Sequence, residues 1–252
     1  MKTISKLLCV LLSTFCLQAR AGNIPRTCTQ EDLGSIIAAA CMHPTSGSNK
    51  DIVYYLHGAG GSELSWADGN WHMPFYQEWA KSPQGAPTVI SLSFGPIWLL
   101  SNVALPHRPA LLPLVLGKLI ARLETRLGGL RGRRLLIGES MGGLNSAILS
   151  LSAPHLFSRV SLVCAALKTY GPYVTEEEIQ EMLRRYPHLD IKKIRSSIAI
   201  GRAEFPTPAD WDAHDPLKMM LRPGQKLTQY QVVCGDLDPY GFFEGSQIFT
   251  EQ

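Results

Sequence analysis

Three short stretches carry the residue types that chemistry needs. The first is Leu135-Leu136-Ile137-Gly138-Glu139-Ser140-Met141-Gly142-Gly143. An apolar run ends at Gly138, Gly-x-Ser-x-Gly follows, and a helix-compatible run continues from Leu144 to Leu151. A strand, a sharp turn and a helix in that order lift a serine hydroxyl clear of the strand end, and only glycine leaves room on either side of such a turn. Ser140 is therefore the candidate nucleophile. The turn also aims the Met141 backbone N–H at the space where an oxyanion would form. The bland alternative is a tight strand–helix turn with a bystander serine.

The second stretch is His57-Gly58-Ala59-Gly60-Gly61-Ser62, directly after the apolar run Asp51–Leu56. Glycines at a strand end let backbone N–H groups face a ligand. The spacing is neither a dinucleotide fingerprint nor a phosphate loop, since no Gly-Lys-Ser/Thr closes it. The third is Gly235-Asp236-Leu237-Asp238-Pro239, after the run Gln229–Cys234. It offers two carboxylates, Asp236 and Asp238.

The elements that must position these stretches alternate. Strands are expected at 51–56, 87–94, 135–138, 159–164 and 229–234, with a long helix over Leu111–Leu127 stopped by Gly128-Gly129. Cys28–Cys41 reads as a short helix. Residues 165–225 break the alternation. There Thr175-x-x-Glu178 forms a capping box, Asp190 caps a further helix to about Ile200, and several prolines follow. This is a helical, cap-like insertion. Strands alternating with helices make a mostly parallel sheet, and ligands bind such sheets beyond the carboxyl ends of the strands. All three stretches follow strands, so they converge on one edge. The aromatic-rich segment 62–80 packs on the sheet or lends one or two rings to an acyl or sugar pocket.

Residues 1–21 have the pattern of a secretory signal: Lys2 and Lys6, an apolar Leu7–Leu17, and Ala19-Arg20-Ala21 before Gly22. The expectation is a single domain over 22–252 in a secreted or periplasmic protein, with no membrane association after signal removal. Cleavage there removes three of the 24 basic residues and none of the 21 acidic ones, leaving a formally neutral chain, which excludes a strongly basic nucleic-acid binder. Four cysteines then remain. A Cys28–Cys41 bridge is favoured, and Cys164 and Cys234 are expected as buried free thiols on neighbouring strands. No CxxC or HExxH spacing suggests a metal, and no organic cofactor is implied.

Taken together, His57-Gly58 at a strand end, Gly138-Glu139-Ser140-Met141-Gly142 at the turn and Gly235–Pro239 resemble the α/β-hydrolase superfamily, in particular its secreted serine esterases. The resemblance runs from Asp51 to the C-terminus. It implies Ser140 as nucleophile, the N–H groups of Met141 and Ala59 as oxyanion hole, Asp238 as triad acid with Asp236 as the alternative and the losing carboxylate capping the local turn, and a small-molecule ester as substrate. The order in that superfamily is Ser, acid, His. The fourteen residues after Asp238 contain no histidine. Three expectations follow. The sequence lacks a last strand and its His-bearing segment; or His214, in the insertion, substitutes as base; or the chain is a non-catalytic binding module on a hydrolase fold. An exported peptidase on the same scaffold is the remaining alternative. The oligomeric state is not legible.

Overall fold

The computed structural model describes residues 25–68, 72–95 and 97–251. The signal-like segment lies outside them. Apolar runs rich in β-branched residues fall into seven strands: β1 (Thr27–Asp32), β2 (Ile37–His43), β3 (Ile52–Leu56), β4 (Thr88–Ser93), β5 (Arg134–Glu139), β6 (Arg159–Val163) and β7 (Gln229–Val233). They form one sheet in the order β1-β2-β4-β3-β5-β6-β7. The last five are parallel, while β1 and β2 run antiparallel at one edge. From β3 the chain steps outward to β4, then crosses back to β5 on the other side of β3. The carboxyl ends of β3 and β5 therefore flank a crevice where the connections diverge, the ordinary ligand position in such sheets.

The N-terminal segment corrects the helix expected over Cys28–Cys41. It is a hairpin in which Cys28 lies opposite Cys41 and the two are disulfide-bonded. Alanine is the strongest intrinsic helix former, but tertiary context overrides propensity. Here it loses to burial, because Ala38 and Ala40 are fully enclosed in a strand that pairs with β1 on one side and β4 on the other.

Alternation along the strands sends side chains to two faces. Ile52, Tyr54, Leu56, Ile90, Leu92 and Leu136 pack with helices on the first face. These include α3 (Leu111–Leu114), a π-helical stretch Val115–Leu119, α4 (Ile120–Arg126), α5 (Met141–Ser152) and α10 (Phe242–Glu251). The long helix expected over 111–127 is thus continuous but carries one widened segment containing Gly117. Below this layer Tyr54 donates to the buried Glu124, which is ion-paired with Arg134. Val53, Tyr55, Val89, Leu135 and Ile137 point to the second face, against Trp66 of α1 (Ser65–Asp68) and Trp79 of α2 (His72–Ala80).

Residues 165–225 hold α6 (Glu176–Arg185), α7 (Ile191–Glu204), α8 (Pro208–Asp212) and α9 (Pro216–Met220). The Thr175–Glu178 capping box is present, and Asp190 accepts the N–H groups of Lys192 and Lys193. α6 and α7 share a small core of Tyr170, Ile179, Leu189, Ile194 and Ile198, and α9 packs against α5 and α10. Cys164 and Cys234 are free thiols just past β6 and β7. They are half-buried rather than buried, and burial and the neighbouring Cys164 push Cys234 up to about 12.

The turn between β5 and α5 works only because of its glycines. A Cβ on Gly142 would overlap the carbonyls of Leu56 and His57, and one on Gly138 would overlap the Gly142 carbonyl and Ser146 Oγ. Gly142→Ala is therefore expected to destabilise the protein by about 1–3 kcal/mol or more. Gly235→Ala, where an added Cβ meets nothing within 4 Å, is expected to stay within about 0.5 kcal/mol. Urea unfolding of the two variants checks this; equal stabilities would refute the packing account.

Candidate active site

Ser140 sits between β5 and α5 at φ 50° and ψ −115°. A side chain in that region costs about 1–3 kcal/mol and persists only where its surroundings enforce it. The enforcement is visible. The Ser140 N–H donates to Val163 of β6 (3.0 Å), and its carbonyl accepts from Leu144 (3.1 Å) and Ala166 (2.8 Å). The hydroxyl itself makes no hydrogen bond among the described residues and faces a cavity of about 160 Å³. Met141 and Ala59 line the same cavity. Met141 is the first residue of α5, where backbone N–H groups have no intrahelical acceptor and the helix dipole favours negative charge.

The His57–Gly61 turn is tied to Ser140's neighbour. The Gly58 N–H donates to Glu139 Oε1 (3.1 Å), and the Gly61 N–H to the Gly58 carbonyl (3.1 Å). A Cβ at Gly58 would lie 3.4 Å from Ser140 Cβ, so glycine brings the two turns together. His57 is buried with Nδ1 2.7 Å from the Gly58 carbonyl, consistent with a part in turn geometry.

Asp238 caps the last turn before α10: its Oδ2 accepts from the N–H groups of Tyr240 (3.0 Å) and Phe242 (2.8 Å). Oδ1 takes no hydrogen bond among the described residues. The capping role therefore falls on Asp238, the first candidate, while Asp236 is exposed. The next two residues on the cavity wall, Tyr240 and Phe242, are set in place by that cap.

His214 is a correction. It is buried and does not line the Ser140 cavity. Its Nε2 accepts the Asn102 N–H (2.9 Å), and Nδ1, carrying the proton, donates to the Asp210 carbonyl (2.7 Å). Its ring also packs on Phe205 at 5.1 Å. Burial lowers its pKa below the usual histidine value. Both nitrogens are spent on holding α8 against the 98–103 loop. Among the described residues no histidine hydrogen-bonds to Ser140 or Asp238.

The aromatic expectation also resolves. Trp66, Phe75 and Trp79 line a separate cavity of about 560 Å³ against β5, β6 and β7, away from Ser140. Trp71 lies outside the described residues. The rings beside Ser140 are Trp98, Trp211, Tyr240 and Phe242. Trp98 is held by Asn145 of α5, which accepts from the Leu100 N–H (2.8 Å) and donates to the Trp98 carbonyl (2.9 Å). Glu204, in a buried ion pair with Arg108, accepts the Trp98 N–H. The sequence carries no local signal for this wall, because its parts lie far apart in the chain.

Residues 106–240, more than half of the chain, match the family model described as "Putative esterase". The chain belongs to this esterase family. No curated protein matches it in sequence. Among solved structures, the esterase is similar to the fluorophosphonate-binding serine hydrolase FphF of Staphylococcus aureus (TM-score 0.62, 14% identity, covering 90% of this chain and 84% of that one). It is also similar to an esterase of Pyrobaculum calidifontis (TM-score 0.58, 18% identity, 90% and 72% covered) and to carboxyl esterase 2 of Tuber melanosporum (0.60, 15%, 91% and 72%). These likenesses are to the α/β-hydrolase fold. No helix among the esterase's described residues is long and apolar enough to cross a membrane, and no group of three or more His, Cys, Asp or Glu is placed to hold a metal ion.

Among the cavity residues that sequence reasoning missed, one is a lysine. Lys168 is 8% exposed and lines the cavity with Ser140. Burial pushes its ammonium down to about 8, against a smaller upward pull from Asp215. Between about pH 8 and the model-peptide range near 10.4 the unfolded chain holds a proton that the folded chain has released, so that burial weakens as a penalty when pH rises. The stability of the wild-type esterase relative to Lys168→Met is therefore expected to increase from pH 8 to pH 10, by at most about 1.4 kcal/mol per pH unit. Urea unfolding of both proteins at each pH measures the difference; a flat or falling difference would contradict it.

Proposed function

We propose that this esterase hydrolyses small carboxylic esters through an acyl-enzyme on Ser140. The observation that carries this reading is the geometry of Ser140: a strained residue with an unbonded hydroxyl facing a cavity, at the N-terminus of α5 and against the Gly58–Ala59 turn. Ser140 Oγ attacks the ester carbonyl. The N–H groups of Met141 and Ala59 stabilise the tetrahedral oxyanion, the alcohol departs with the proton given up by Ser140, and water cleaves the acyl-enzyme, restoring the serine hydroxyl and releasing the acid. Asp238 is the carboxylate available to orient a base through its open Oδ1, with Asp236 as the poorer candidate. The reaction calls for no metal or organic cofactor. Secretion or a periplasmic location is part of the proposal, supported by the signal-like residues 1–21 and by the Cys28–Cys41 disulfide, which persists in oxidising compartments.

A hydroxyl is a weak nucleophile until a base takes its proton. No described histidine is in place to do so, and that observation favours a second reading: a binding module on a hydrolase fold.

A fluorophosphonate probe and p-nitrophenyl butyrate separate the two. The expected result is one probe adduct, located on Ser140 by peptide mapping, and a fall in ester hydrolysis of at least ~10³-fold in Ser140→Ala. Hydrolysis that survives this substitution would remove Ser140 from the role of nucleophile. Ligand binding with neither an adduct nor turnover would favour the binding module.

A further inference from the structure

Lys168 stands out in the cavity beside Ser140. It follows β6 by five residues, and Ala166, two positions earlier, donates its N–H to the Ser140 carbonyl at 2.8 Å. The lysine is thereby built next to the reacting serine. Its Nζ donates to Ser197 Oγ of α7 at 3.1 Å, and it lies 5.2 Å from the Tyr170 ring centre and 5.8 Å from that of Trp211. Among the described residues no carboxylate lies within ion-pair distance of it. Asp215 is close enough to act on its charge, but that carboxylate accepts the Leu217 N–H as the cap of α9.

An ammonium has three donors and no acceptor, and this one uses one donor on a neutral hydroxyl. Enclosing a cation this way is unfavourable unless a counter-charge completes the site. Much of the remaining wall is apolar, including Leu144, Ala166, Ile200 and Phe242. An apolar ester alone would leave the ammonium uncompensated. A ligand with its own negative charge would supply the missing partner.

We propose that the esterase takes short esters that carry a carboxylate on the acyl chain or on the alcohol, recognised by the Lys168 ammonium together with the Ser197 hydroxyl. This rests on reading the cavity as the ester site of Ser140. The cavity is small, about 160 Å³, so the charged group and the scissile carbonyl belong to one short ester.

The test pairs each anionic ester with a neutral twin in which a methyl group replaces the carboxylate oxygen. Monomethyl succinate against methyl 4-oxopentanoate examines the acyl side, and O-acetylglycolate against acetoxyacetone the alcohol side. Binding is measured on Ser140→Ala by intrinsic tryptophan fluorescence, since Trp98 and Trp211 line the cavity. Hydrolysis is measured on the otherwise wild-type chain. At least one anionic ester is expected to bind about tenfold or more tightly than its twin, the scale of one charge-assisted hydrogen bond. Adding Lys168→Met should erase that gap, and adding Ser197→Ala should narrow it. Lys168→Met alone should lower kcat/KM for the preferred anionic ester about tenfold more than for its neutral twin. Equal affinities within both pairs would overturn the proposal. So would loss of neutral-ester turnover in Lys168→Met with the binding gap intact, which would make Lys168 the base. An anion preference in a protein whose ester hydrolysis survives Ser140→Ala would instead sink the acyl-enzyme reading and leave the anion site standing.

Discussion

The contact on which the rest depends is the near-touching of the first turn of α5 with the carboxyl end of β3. Gly142 leaves no room for even a methyl group against the Leu56 and His57 carbonyls, and Gly138 leaves none against the Gly142 carbonyl. Gly143 closes on Ala165 in the same way, its missing Cβ only 2.5 Å from the alanine's. With the helix pressed this far into the sheet, Ser140 has no relaxed backbone conformation to adopt and is held at φ 50°. Strain at that one residue is sustained by close packing on three sides. The same contact brings the Gly58–Ala59 turn beside the serine, and Glu139 fastens it there by accepting the Gly58 N–H.

Around that fixed point the cavity is assembled from segments with no local reason to meet. Its wall comes from the loop after β4, from the residues after β6, from α7 and α8, and from the start of α10. Buried polar groups join these pieces. Asn145 clamps the 98–100 segment to α5, Glu204 brings α7 to Trp98, His214 ties α8 to Asn102, and Asp238 caps the turn into α10. Each of these groups has its partner close by, so removing one would strand the other in a low-dielectric interior. Lys168 differs from them: among the described residues its only hydrogen-bond partner is a neutral hydroxyl.

Two residues show how burial decides the role of a titratable group. His214 and Lys168 both come from the region 165–225, and desolvation lowers the pKa of each. His214 uses both ring nitrogens on backbone groups and is a fastening. Lys168 keeps donors to spare and faces the space where a ligand would sit. The same chemistry that makes histidine attractive as a base is silent on whether its lone pair is free.

The sequence by itself determined the five parallel strands, most of the helix boundaries from β3 onward, the serine turn and the convergence of three loops on one edge. These are written in short-range patterns: alternation in strands, glycine where a Cβ cannot fit, and Thr175 or Asp190 at helix starts. It also made the Cys28–Cys41 bridge the favoured pairing, although it read the intervening residues as helix. That error has a physical source, because even alanine's favourable helix propensity is overridden by a neighbouring strand that only the fold supplies. The tertiary structure alone decided which rings line the cavity, that Trp66 and Trp79 belong to the opposite face, that His214 is already bonded, and that Lys168 stands beside Ser140. Each of these depends on contacts between residues distant in the chain, and side-chain periodicity carries no information about those.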